Sequence, residues 1–381
     1  MTSIAPSSTA TDPSPADTLR EQFVRPGDVM SVLLILGGDV IQRALAQLSG
    51  ETITPVAFSF GWVTYAINAL LAAVGDNKLM PPPDSNGLVI NSRSNYSRQN
   101  DSWILGRIIR DYEYWRHPEI RKEEKDFLSK ADKIALTVAI YKVNPTKPAG
   151  VPDRDWLYYS GFLCAVVQLG VAAVPLGLWG DWSILMTTAC GITFAFASGA
   201  LPQWKAEKWA CRNNSKKTVA LTRGNGSENC IVIISAGVGL DLEDLAGARR
   251  VDSTLTRILT SIMAVVWIAL LIAVSGLKEN PWFLLVVGVI GMIQNVVVCG
   301  APRNPGAFGI HLDYVETVVD QKVMKVLQTL EERYPHVGAS LVETYFPGGL
   351  RPHEEDYWKD AKVKAKEADK RAKKAAQSAS A

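Results

Sequence analysis

Apolar residues along the chain gather into blocks about 20 residues long separated by polar segments, and that is the length a helix needs to cross the hydrocarbon of a bilayer. Four blocks, 157–178, 182–201, 258–277 and 281–300, contain no charged side chain. A charge near the bilayer centre costs about 3 kcal/mol on the insertion scale, so these blocks predict four transmembrane helices. Two further blocks precede them. Residues 55–74 are uncharged, with Asn68 the most polar group, whereas 30–48 is interrupted by Asp39, Gln42 and Arg43. Asp39 and Arg43 stand four apart on one helix face, where pairing would lower the cost of insertion. An interfacial or soluble helix is the alternative for that block.

The connections turn six helices into three hairpins. Those at 49–54, 179–181 and 278–280 are very short, and only Lys278 among them is basic. The segment 75–155 carries fourteen Lys and Arg, and 202–256 carries eight, which places both long segments and both termini in the cytoplasm. Trp156, Tyr158, Tyr159, Trp179 and Trp182 fall at helix ends, where an amphipathic ring prefers the headgroup layer.

The expected fold is therefore mainly α: a polytopic helical membrane protein over a small cytoplasmic α/β layer. Its parts are a disordered tail (1–27), a first hairpin (28–75), a cytoplasmic helical segment (76–156), a second hairpin (157–201), a cytoplasmic segment with a β-hairpin (202–256), a third hairpin (257–300), another cytoplasmic helical segment (301–356) and a basic Ala/Lys-rich tail (357–381). Within the layer, Ile104, Ile108, Tyr112 and Trp115 recur at helical spacing, with Arg107, Arg110 and Asp111 on the opposite face. A second amphipathic helix is read over 123–141 from Phe127, Ala131, Ile134 and Val138, and a third from Val315, Val319, Val323, Val326 and Leu330 up to Pro335. The runs 218–221 and 230–235, separated by RGNGSE, predict the β-hairpin.

A formal net charge of +2 gives no case for a nucleic-acid partner. Cys164, Cys190, Cys211, Cys230 and Cys299 are scattered, without a CxxC pair, and His117, His311, His336 and His353 are isolated, so neither zinc nor Ser-His or Cys-His catalysis is signalled. The run from Ser235 to Gly247 resembles a phosphate loop but has Leu242 where a third glycine belongs. It reads as a turn into a short acidic helix, and Asp241, Glu243 and Asp244 lack the glycine and ligand pattern of a Ca²⁺ loop. No catalytic residue, cofactor or metal follows. What remains are polar groups inside the blocks, namely Asp39, Arg43, Asn68, Gln168, Gln294 and Asn295. In hydrocarbon such groups face other helices, as hydrogen-bonding glue or as the lining of a path. Gly191, Ala195 and Gly199, each four apart, predict a small-residue face for close helix packing.

The stretch 37–83, with ALTRGNGSENCIVII, DLEDLAG and YPHVGASLVETYFPGGLRP further on, resembles a group of uncharacterised multi-spanning proteins of filamentous fungi. The resemblance runs from about residue 30 to 358 and implies a fungal membrane location, without implying any activity or ligand.

Large cytoplasmic segments beside tiny external turns point to a non-enzymatic scaffold or accessory protein in the plasma membrane or an endomembrane, contacting membrane lipids and a cytoplasmic protein partner. The alternative is a small-solute or ion transporter or channel using polar residues of the first two helices. On this topology the sequons at Asn95, Asn213 and Asn225 face the cytoplasm. Glycosidase treatment of the secretory-pathway-expressed protein should cause no shift in mobility, and a glycan at any of the three would reverse the orientation.

Overall fold

The computed structural model describes residues 37–75, 78–277 and 279–379. The expected tail (1–27), the first part of the 30–48 block and Lys278 lie outside the described residues. In chain order the helices are α1 (Gly38–Leu48), α2 (Trp62–Val74), α3 (Trp103–Arg110), α4 (Tyr112–Trp115), α5 (Pro118–Leu128), α6 (Trp156–Trp179), α7 (Ser183–Gly199), α8 (Pro202–Lys208), α9 (Leu242–Leu245), α10 (Thr254–Ser275), α11 (Pro281–Gly300), α12 (Val323–Arg333), α13 (Val337–Tyr345) and α14 (Pro352–Ala379). The strands are β1 (Leu88–Asn91), β2 (Ser97–Gln99), β3 (Leu136–Val143), β4 (Thr218–Thr222), β5 (Asn229–Ile234) and β6 (Leu312–Asp320).

Among the described residues four helices are long and apolar enough to cross a membrane: α6, α7 continued through α8, α10 and α11. They pack together with large apolar side chains pointing outward, among them Leu163, Val166, Val265 and Ile272, each about two-thirds exposed. Such a continuous apolar surface is a liability in water and the normal state of a helix facing lipid. The four uncharged sequence blocks thus appear where the hydropathy pattern puts them.

The block 55–74 is not a single helix. Residues 54–60 are buried but belong to no helix or strand, with Phe60 in a turn, and only α2, 13 residues long, is helical. At 1.5 Å per residue α2 spans about 20 Å, short of the roughly 30 Å of hydrocarbon. The non-helical stretch starts at the sheet-bearing end of the bundle, where Thr54 lies against Gly199 and Pro55 against Gly161, and reaches mid-bundle, where Phe58 meets Gly191 and Gly291 and Phe60 meets Gly288. Gly61, at φ +94°, then reverses the chain. α2 runs back along α10, from Trp62 stacked on Trp267 to Ala73, whose carbonyl accepts from Arg257. The chain enters and leaves at the same end.

The layer at that end is a six-stranded sheet in the order β2-β1-β4-β5-β3-β6, antiparallel except for β3 beside β5. The expected hairpin is β4–β5, paired Thr218↔Ile234 through Thr222↔Cys230. One sheet face, with Ile90, Val138, Ile140, Ala220, Val232 and Val318, packs on α12, α13 and Trp358 of α14. The other, with Val89, Ala139, Tyr141, Leu221 and Ile233, joins the core that continues through α3 into the bundle.

Two expected helices are corrected. Within 123–141 the helix α5 stops at Leu128, and Leu136 onward is β3. Its run LTVAIYKV is buried on both faces except at Lys142, and a doubly buried strand has no period-2 signal to tell it from a buried helix. Likewise Val315 and Val319 belong to β6, and α12 begins only at Val323 and ends at Arg333. The helix around 104–115 is present as α3 and α4, and Arg107 and Asp111 on the face opposite the apolar stripe are buried as well.

Candidate functional site

Residues 54–60 read TPVAFSF, and Pro55 both lacks an N–H and biases its predecessor to extended backbone. Inside an apolar bundle such a stretch must find partners for groups that a helix pairs internally. The partners are side-chain amides. Asn295 clamps Ala57 from α11, accepting from its N–H at 3.2 Å and donating to its carbonyl at 3.0 Å and to Ser59 Oγ at 2.8 Å. The Ala57 carbonyl takes a second bond from Trp62 Nε1 at 2.9 Å. Gln168 of α6 donates Nε2 to the carbonyls of Phe58 and Val287, at 2.5 and 2.9 Å. Thr54 Oγ1 donates to the Gly199 carbonyl, and the Val56 N–H to the Thr54 carbonyl.

Three helices are notched to admit this backbone. A Cβ on Gly161 would sit 1.8 Å from the Pro55 carbonyl oxygen, one on Gly291 1.8 Å from that of Phe58, and one on Gly288 2.1 Å from the Phe60 ring. The Gly191–Ala195–Gly199 face also serves this purpose, with Phe58 on Gly191 and Thr54 on Gly199. The close approach on that face is therefore to side chains of this non-helical segment, with Leu45 of α1 also against Gly199. Aromatic rings close the mid-bundle end, with Trp267 stacked on Trp62 at 5.1 Å and on Phe58 at 6.2 Å.

Below this segment, a neck of buried cations ties bundle to sheet. Helix C-termini leave carbonyls unpaired and carry partial negative charge. At the end of α1, Lys208 Nζ reaches the carbonyls of Ala46, Gln47 and Ser49 at 2.9, 3.4 and 2.6 Å, matching the three hydrogens of an ammonium group. Arg303 donates to the Gln47 carbonyl and forks onto Asp155 at 2.7 and 2.9 Å. At the end of α11, Arg107 donates to Cys299 and Ala301, and Arg110 to Gly300. Arg107 also contacts Asp84 at 3.0 Å and Asp111 at 3.6 Å. Burial pulls the Arg107 pKa down, and the carboxylates of Asp111 and Asp84 oppose that. Glu207 accepts from the N–H groups of Leu79 and Met80, fixing the chain that leaves α2.

Of the polar candidates read from sequence, the structure brings Gln168 and Asn295 together on the non-helical segment. Gln294 stands apart, donating to Ser160 Oγ at 3.2 Å. Asn68 is exposed on α2. Asp39 is exposed too, and the expected Asp39–Arg43 pair is replaced by Arg43 with Asp84 at 3.6 Å, at the neck. Sequence reasoning missed Arg107, Lys208, Glu207 and Arg303. Charge alone marks such residues as solvated, and the one local hint is that Glu207 and Lys208 sit between Trp204 and Trp209.

Elsewhere the polar groups serve structure. The expected acidic turn is α9, capped by Asp241 accepting from Asp244 N–H, and its carboxylates pair with Lys217 and Arg212. Among the described residues no group of three or more His, Cys, Asp or Glu is placed to hold a metal ion. Burial pushes the thiols of Cys211 and Cys230 up to about 12, so they stay protonated near neutral pH. No protein-family model matches the chain, and no curated protein or solved structure matches it significantly.

The notches yield a direct contrast. Gly161→Ala and Gly291→Ala place a methyl against a backbone oxygen and should each destabilise by about 3 kcal/mol, the upper end of overpacking costs. Gly170→Ala and Gly177→Ala, with nothing within 4 Å of the new carbon, should hold or raise the midpoint, since alanine favours a helix by about 1 kcal/mol. Thermal unfolding in detergent checks this; equal effects at all four positions would contradict the threaded segment.

Proposed function

We propose that the chain is a non-enzymatic integral membrane scaffold or accessory protein. Its bundle anchors a rigid α/β layer to the cytoplasmic face, and that layer binds a protein partner. The observation that carries this reading is the filling of the bundle. The segment at 54–60 occupies its centre, with the Ala57 and Phe58 carbonyls already bonded and glycine notches closed around them. A pore or carrier site needs such carbonyls free to meet a solute. The layer supports the same reading, since it draws its strands from three separate segments and is joined to the bundle by the buried Arg107, which donates to the carbonyls at the end of α11. The resemblance to multi-spanning fungal proteins agrees with this membrane setting.

In this reading 55–74 is a re-entrant segment, entered and left from the cytoplasmic side, so the first hairpin of the sequence-based topology has no crossing at its second limb. A transporter or channel is the second reading, favoured by one observation: backbone is non-helical at mid-bundle, beside Gln168 Oε1 and Thr188 Oγ1, which have no hydrogen-bond partner among the described residues.

Two measurements separate these ideas. In proteoliposomes the protein should carry no ion or small-solute flux above protein-free vesicles, and a saturable flux would favour the transporter. Single cysteines at Ile53, Asn86 and Gly180, in a background lacking the native cysteines, should report the path. An impermeant maleimide should modify Ile53→Cys and Asn86→Cys from one side and Gly180→Cys from the other. Modification of Ile53→Cys and Asn86→Cys from opposite sides would mean that α2 crosses.

A further inference from the structure

Where α2 ends beside the start of α10, the surface changes character over a few residues. Leu71 and Val74 of α2 are 66% and 71% exposed, and Leu255 and Ile258 of α10 are 57% and 55% exposed, forming an apolar wall at the rim of the bundle. Arg257 joins the two helices through the Ala73 carbonyl at 3.1 Å. Directly beyond the wall, on the layer side, Lys78 and Arg249 line one cleft, and Arg249 and Arg250 are exposed. Against the four cations Lys78, Arg249, Arg250 and Arg257 stand three acids, the buried Glu207 and the exposed Asp101 within the cleft and Asp252 beside Arg257 at 3.7 Å, so the rim keeps a small basic excess. The opposite end of the bundle differs. Its turns carry Asp181 and Glu279, with Lys278 the one basic residue in their sequence, so the cluster of cations belongs to the sheet-bearing end.

An apolar wall that ends in a basic rim matches an amphiphile whose acyl chain lies along the helices and whose anionic headgroup meets the cations. Neither a free phosphate nor a nucleic acid has any use for the wall. We propose that this rim is a binding site for an anionic phospholipid, with Lys78 and Arg249 holding the headgroup and Leu71, Val74, Leu255 and Ile258 the chain. The proposal rests on the bundle being embedded in a bilayer, which incorporation into nanodiscs tests separately.

The experiment uses the full chain purified in detergent and titrated with phosphatidylserine or phosphatidylcholine, bound lipid being counted by native mass spectrometry. Phosphatidylserine should be retained in preference to phosphatidylcholine, and the preference should shrink as salt is raised. Each basic residue near an anionic surface corresponds to about a fivefold change, so Lys78→Gln/Arg249→Gln should lower the preference about 25-fold. A control pair on the far side of the layer, Lys322→Gln/Lys325→Gln, should leave it unchanged. Inorganic phosphate should compete poorly, because it lacks the chain. An unaltered preference in the rim variant, a wild-type preference insensitive to salt, or competition by phosphate as effective as by lipid would overturn the proposal. If the protein fails to enter nanodiscs at all, the membrane reading itself falls, and the lipid site with it.

Discussion

Seven residues of non-helical backbone lie buried inside an apolar bundle, and their peptide groups must be paired or cost several kcal/mol each. That requirement explains features that look unrelated in the sequence. It accounts for the side-chain amides at mid-span, with Asn295 pairing both the N–H and the carbonyl of Ala57 and Gln168 donating to the Phe58 carbonyl. It accounts for glycines on α6, α7 and α11 at the places where the segment's carbonyls and rings press closest. It also accounts for Pro55, which removes one donor from the inventory, and for the left-handed turn at Gly61 that sends the chain back as α2.

The same accounting continues at the neck. α1 and α11 end together beneath the segment, so their unpaired carbonyls and dipoles accumulate in one buried place. Lys208, Arg303 and the α3 pair Arg107 and Arg110 discharge that accumulation, arriving from three different parts of the chain. Asp155 and Asp84 then balance the cations. Removing one member of such a set leaves a buried charge or carbonyl without its partner, which costs far more than an exposed pair would contribute. The sheet and bundle therefore behave as one body.

Legibility in the sequence followed the physics of each element. Helices facing lipid are apolar over their whole length, so α6, α7, α10 and α11 could be read from charge-free blocks alone. The β4–β5 hairpin was legible because Gly224 and Gly226 supply positive φ between two β-branched runs. β3 and β6 are not legible as strands because their apolar residues also fit a period of 3.6, and only pairing with distant residues, such as Leu136 with Asp320 and Thr137 with Asn229, decides for strand. The non-helical segment at 54–60 was hidden for a related reason: an apolar block carries no mark of whether its backbone is helical when its partners lie more than 100 residues away. Two of the six polar candidates, Gln168 and Asn295, proved to be those partners. Asp39, Arg43 and Asn68 instead lie on exposed positions, because the α1 and α2 faces that carry them are not the ones the bundle covers.

The account depends on the segment being threaded and held by Asn295, and backbone hydrogen exchange tests that most directly. In nanodiscs, a peptide covering 55–61 should exchange as slowly as peptides from α6 and α11, although it is not helical. In Asn295→Leu, the same peptide should exchange much faster while α6 and α10 stay protected. Exchange of 55–61 in the unaltered protein as fast as in the exposed loop 144–149 would contradict the account.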